Sequence, residues 1–234
     1  MKREIRSIGE VLKAVSGYDD RTMFRGQPKN WPLIPTIARL HKYIHGFDDW
    51  QVFHHHLLER FRRYGRPHLN QLPRTEIEWL VHAQHHGLPT RLLDWTTNPL
   101  KALFFAVDDP RNDRHDGVLW KLIPDGWWED FTNENQTYWD GRLAAFFPEY
   151  LNARLIAQEG CFLSFPLPKS TRPIRPLTEA PCAYTVEKIV CLIIPRHTKP
   201  VLRKELTLLG VNHRSLFPDL DGVAKSVRLY PHGT

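Results

Sequence analysis

Apolar positions recur at helical spacing through the first half of the chain and gather into strand-like runs in the second. Ile8, Val11, Leu12 and Val15 share one face, which predicts a short helix over 7–15. Thr22-Met23-Phe24-Arg25-Gly26 reads as a strand ending at a glycine turn, and the proline-bearing segment 27–35 as an irregular loop. A long helix is expected over 48–64, stopping near Gly65 and Pro67, and another over 75–86 with Gly87 as its C-terminal stop. A further helix starts after Asn98, with Pro99 as its first residue. From there the character changes. Residues 117–123 read as a strand, 124–126 as a turn, 153–158 as helix or loop, and 160–165 as a strand. Residues 166–181 read as a proline-rich exposed loop, and 188–194, almost continuously apolar, as a buried strand. A last helix is expected over about 199–209, stopped by Gly210. This order predicts an α+β fold over 1–234, with helices in the N-terminal half packed on a mostly antiparallel sheet.

Composition narrows the picture. The 234 residues are 41% hydrophobic and 12% aromatic, which makes the chain globular. A net charge of +6, with 13 histidines besides, mildly favours acidic partners such as nucleic acid or nucleotide phosphates. The basic residues are scattered, the densest cluster being Arg60, Arg62, Arg63 and Arg66. Cys161, Cys182 and Cys191 form no C-x-x-C, so free thiols in a reducing compartment are expected. No run approaches the ~18 apolar residues of a membrane helix, and the first residues show no apolar signal core. A cytoplasmic, bacterial-type protein without membrane association is expected.

Candidate chemistry concentrates in one stretch. Arg91, Asp94, Trp95, Thr96, Thr97 and Asn98 follow a His- and Gln-rich segment containing Gln84 and His85, and precede an apolar run. Polar side chains held between rigid elements suit a ligand. One of Asp94, Thr97 and Asn98 is expected to cap the helix that Pro99 opens. Asp94 and Arg91 also stand at a spacing that permits an ion pair. Phe24-Arg25-Gly26 is a second candidate, since a guanidinium at a strand end suits phosphate or carboxylate, with an internal salt bridge as the alternative. The third is Arg154 to Phe162, where Gln158 and Glu159 precede Gly160 and an apolar strand. His82 and His86 stand four apart, but there is no H-E-x-x-H and no obvious third ligand, so no metal is expected. P-loop, G-x-G-x-x-G, G-x-S-x-G and kinase motifs are absent.

Phe24-Arg25-Gly26, the block 83–96 with 98–102, the block 157–162 and the block 216–222 together resemble the FRG domain family, named for its Phe/Tyr-Arg-Gly motif. The order of three of these blocks also resembles, more distantly, mono-ADP-ribosyltransferases of the Arg-Ser-Glu type. Those enzymes have an aromatic-Arg-Gly strand, then a Ser-Thr-Ser-like strand and helix, then a carboxylate before a later strand. This resemblance implies a split β-sheet core and NAD as substrate. It also implies a role as an effector, such as a toxin or phage-defence protein, with a nucleic-acid or protein acceptor and an antitoxin partner. It casts Arg25, Thr96, Thr97, Gln158 and Glu159 as catalytic, with Glu187 a second choice for the third block. Phe24, Gly26, Gln84, His85, Arg91, Asp94, Trp95, Asn98 and Arg154 would bind the dinucleotide. Two departures stand out. Asp94 or Trp95 replaces the first Ser of the middle motif, and the third block is Gln-Glu-Gly. Either Gln158 or Glu159 could then face the cleft, with Asp94 as another source of the carboxylate. A non-catalytic nucleotide- or nucleic-acid-binding module is the alternative.

Overall fold

The computed structural model describes residues 3–17, 19–128, 143–148, 152–179 and 186–229. Cys182 and the end of the predicted proline-rich loop lie outside them. The architecture is mixed α and β, built on a curled seven-stranded, mostly antiparallel sheet in the order β1-β7-β4-β2-β3-β6-β5. The strands are β1 (Arg3–Glu4), β2 (Met23–Gln27), β3 (Leu92–Thr96), β4 (Gly117–Pro124), β5 (Ala144–Phe146), β6 (Gly160–Ser164) and β7 (Val186–Ile194). The β1–β7 pair is parallel. Five helices frame the sheet from one side of the sequence to the other: α1 (Ile8–Val15), α2 (Trp50–Gly65), α3 (Glu76–His85), α4 (Pro99–Val107) and α5 (Ala153–Gln158). Three more, α6 (Lys199–Leu208), α7 (His213–Leu216) and α8 (Leu220–Leu229), close the described chain.

Helix starts follow local chemistry. Ser7, Asp49, Thr75, Asn98, Asn152 and Asn212 each accept a backbone N–H at the N-terminus of the helix that follows. Gly87 ends α3 with φ +82°, its own amide bonding to Gln84 and that of Leu88 to Ala83. Gly210 does the same after α6, with φ +79°.

Alternation along the strands splits the core between the two faces of the sheet. On one face Phe24, Leu119, Leu192 and Ile194 pack against α1, α4 and α6, while Leu92, Phe146 and Phe162 pack against α2 and α3. On the other, Met23, Leu93, Trp95, Val118, Trp120 and Leu163 meet Ile37 and Ile44 of a 3₁₀ segment (Thr36–Gly46) and Trp50 and Phe53 of α2.

Two expectations need revision. Residues 92–96, expected as polar positions held between rigid elements, themselves form a central strand, with Leu93 and Trp95 on one face and Leu92, Asp94 and Thr96 on the other. The proline-rich segment is not an exposed loop. Leu167, Ile174 and Leu177 are buried in the core, because Trp50 Nε1 donates to the Arg172 carbonyl and the Leu177 amide to Leu33. No helix among the described residues is long and apolar enough to cross a membrane.

The sheet is open at one seam. β2 pairs with β4 over five residues and β3 with β6 over five, yet β2 and β3 meet at a single register pair, Phe24 opposite Thr96. No further register pair joins the two strands among the described residues.

Candidate functional site

A cavity of about 470 Å³ occupies this seam. Its wall draws on distant parts of the chain: β2 with the segment after it, the α3–β3 region with α4, and α5 with β6. Phe24, Arg25, Gly26, Gln84, His85, Asp94, Trp95, Thr96, Arg154 and Gln158 all line it.

Arg25 spans the seam. Its Nη1 donates to the main-chain carbonyl of Asp94, so the side chain takes an acceptor on β3 that no β2 amide bonds. The side chain is 20% exposed and lies 3.8 Å from the Asp94 carboxylate. Burial pulls the guanidinium pKa down, the Asp94 charge opposes this, and the nearby Arg39 adds to it. Its Nε is buried without a hydrogen-bond partner among the described residues, and so is Trp95 Nε1. A buried donor left unpaired costs about 1–3 kcal/mol, so both atoms are costly points in the packing behind the cavity wall.

Asp94 is held from the helix side. The Thr90 hydroxyl donates to Gln84 Oε1, and Gln84 Nε2 donates to Asp94 Oδ1 at 2.8 Å. Both ends of the Gln84 amide are thus occupied in aiming one carboxylate, which stays 64% exposed. The other charged groups on the wall are the guanidinium groups of Arg39 and Arg154. Three arginines against one carboxylate give the cavity an excess of positive charge. His85 adds none at neutral pH, since burial, followed by His86, Arg154 and His82, lowers its pKa, with Asp219 opposing.

The third stretch is tied to the second by main-chain carbonyls. Thr96 Oγ1 donates to the Gln158 carbonyl at 2.7 Å and accepts the Asn98 amide at 3.1 Å, so this hydroxyl joins the two blocks. Gln158 Nε2 donates to the Leu216 carbonyl at 3.0 Å. Arg154 lies 4.4 Å above the Phe217 ring, which positions its guanidinium against the wall. The closing block of the sequence therefore buttresses the cavity from behind.

Five of the candidate residues do not line the cavity. Glu159 adopts a left-handed conformation (φ 48°), and its carboxylate pairs with Lys101 Nζ at 2.7 Å and accepts from Asn98 Nδ2. Asn98 is the cap of α4, accepting the amides of Leu100 and Lys101. Thr97 is half-buried, its amide bonded to the Glu159 carbonyl. Arg91 is buried in the core and donates to Ser164 Oγ, so it does not pair with Asp94. Glu187, on β7, engages Arg21.

Trp31, Thr36 and Arg39 line the cavity without having stood out in the sequence. Their segment is brought in by Thr90, whose amide donates to Thr36 Oγ1 and whose carbonyl accepts from Ile37. That long-range pairing has no local signature. Gly26 has a clear structural reason as well. A Cβ there would lie 1.7 Å from the Ala102 carbonyl oxygen, so the close approach it permits is that of α4.

Neither the curated proteins nor the solved structures contain a match to this chain. The model of the FRG domain family matches residues 20–115, which span β2 to the end of α4 and hold Arg25, Gln84, His85, Asp94, Trp95 and Thr96. Residues 20–115 are thus similar to the FRG domain family, and this stretch supplies the β2 and α3–β3 parts of the cavity wall.

Proposed function

We propose that the cavity binds NAD and that the protein transfers its ADP-ribosyl group to an acceptor. The observation that carries this reading is that Arg25, Thr96 and Gln158, far apart in sequence, line one cavity where β2 and β3 share a single register pair. The positive wall suits a pyrophosphate. Arg25 and Arg39 would hold the pyrophosphate, while Trp95 and Phe105 supply flat apolar surface for the nicotinamide. The volume falls within the range of about 300–1,000 Å³ usual for cofactor sites.

Asp94 takes the part of the carboxylate, because Glu159 is committed to Lys101 and Asn98. As the ribose C1′–N bond breaks, its electron pair leaves with nicotinamide. The Asp94 carboxylate stabilises the positive charge developing on the ribose. The acceptor forms the new bond at C1′, and its proton passes to that carboxylate or to water. Incubation with labelled NAD and mixed RNA, DNA and protein acceptors tests this. Label should be transferred, and Asp94→Asn should lose about 10²–10³ in rate while still binding NAD. An unmodified acceptor pool together with no NAD binding by calorimetry would overturn the proposal.

The non-catalytic reading keeps one observation in its favour: the only carboxylate on the described wall is held by Gln84 and largely open to solvent. Tight NAD binding with no release of nicotinamide would select it.

A further inference from the structure

The mouth of the cavity continues onto a basic surface that nicotinamide chemistry does not use. Trp31 lines the cavity yet is 43% exposed, whereas Trp50, Trp79, Trp95 and Trp120 are all buried. The Lys29 ammonium lies 5.7 Å from the centroid of its ring. A part-exposed indole at a site mouth, with a cation over its ring, is a surface on which a base can stack. Lys29, Arg114, Lys199 and Arg196 cluster around His115, and their charges, after burial, hold that imidazole below its usual pKa. Lys199 is itself engaged. Its ammonium donates to the carbonyls of Pro28 and Asn112 and so fastens the Trp31 segment to this ridge.

Arg114 and Arg196 are exposed and form no ion pair among the described residues. Of the acids nearby, Asp113 is taken by Arg203 and Asp109 by Arg111, while Asp116 accepts the Arg196 amide. The surface thus pairs a part-exposed aromatic ring with Lys29, Arg114 and Arg196, set against the single uncommitted carboxylate of Asp116, and an aromatic ring among excess cations is the composition that binds a nucleic-acid backbone and its bases. An acidic protein would satisfy the charges and leave the Trp31 face without a purpose. A duplex keeps its bases stacked inside and could not offer one to that ring.

We propose that this surface binds single-stranded nucleic acid, with an unpaired base stacked on Trp31 and backbone phosphates running over Lys29, Arg114 and Arg196. The bound strand is the acceptor. A nucleophilic base nitrogen or sugar hydroxyl attacks C1′ as nicotinamide departs with the bonding pair, and the nucleophile gives its proton to Asp94. The acceptor role rests on the cavity being an NAD site; strand binding does not.

Fluorescence anisotropy with a labelled single-stranded oligonucleotide of mixed sequence, as RNA and as DNA, tests the surface over a salt series. The single strand should bind, more tightly than its duplex, with affinity falling steeply as salt rises. Trp31→Ala should weaken binding at least about fivefold. Arg114→Glu with Arg196→Glu should weaken it further and reduce the salt slope by about two. Absent or salt-independent binding, a preference for duplex, or a Trp31→Ala protein that binds as wild type does would each overturn the proposal. Calorimetry with NAD alone separates the two readings. NAD binding without strand binding removes this surface and spares the cavity, while strand binding without NAD binding spares the surface and removes the cavity reading.

Discussion

Replacing Gly26 by alanine would set a Cβ 1.7 Å from the Ala102 carbonyl oxygen and 2.8 Å from the Ala106 amide nitrogen. An ordinary C···O approach is about 3.3 Å, so α4 would have to retreat by roughly half that distance. The obstructing atoms are backbone and cannot rotate away. Retreat would loosen the contact of Phe24 with Ala102, Leu103, Phe104 and Ala106, all buried in one cluster. Overpacking of this kind costs about 1–3 kcal/mol, and a backbone clash belongs at the upper end. For a chain of this size, about 3 kcal/mol lowers the melting temperature by roughly 6–12 °C. The assay is paired thermal and urea unfolding of Gly26→Ala and Gly9→Ala. Gly9 lies in α1 with nothing nearer its would-be Cβ than Ser7 Oγ at 3.9 Å, so alanine there should be neutral or stabilise by up to about 1 kcal/mol. A Gly26→Ala protein as stable as wild type would refute the argument that α4 packing demands this glycine.

Three further predictions follow from the same geometry. His54 is buried with Nε2 unpartnered among the described residues, and burial, then Arg91, His55 and Arg62, lower its pKa from 6.5 to about 3. Between those values the unfolded chain holds a proton that the folded protein does not, so stability should drop as pH falls, by up to about 1.4 kcal/mol per pH unit. Urea midpoints measured across the acid range should show this limb flattened in His54→Gln, and an unchanged limb would contradict it. Asn98→Ala removes the cap on Leu100 and Lys101 and should cost about 1 kcal/mol in urea unfolding; equal stability would show the cap to be idle. Gln84→Ala frees Asp94 from its hydrogen bond, so it should lower transfer rate more than NAD affinity. An equal loss in both would mean that Gln84 acts only in binding.

Much of the fold was legible because its signals are local. The apolar run of β7, expected as a buried strand but buried only at Leu192 and Ile194, the stop of α3 at Gly87 and the cap at Asn98 each depend on a few neighbouring residues. The site was legible in part. Arg25, Thr96 and Gln158 could be singled out, but not the way they are used, since the Thr96 hydroxyl and Gln158 amide are spent on the carbonyls of Gln158 and Leu216. Nor could sequence tell that Glu159 turns to Lys101, because that depends on the left-handed turn ending α5. Arg39 and Trp31 were invisible for the same kind of reason: Thr36 and Thr90, distant in the chain, bring them to the wall.

The central claim is that Arg25 belongs to a dinucleotide site and is not merely a brace across the seam. Calorimetric titration of NAD into wild type and Arg25→Ala, with circular dichroism and melting on both, tests it most directly. The mutant gives up one charged hydrogen bond to the Asp94 carbonyl, so its melting temperature should fall by about 3–12 °C while the fold is kept. Its NAD affinity should fall at least tenfold, roughly the worth of one charged hydrogen bond. A folded Arg25→Ala protein that binds NAD as wild type does, or a wild-type protein that binds none, would contradict the account.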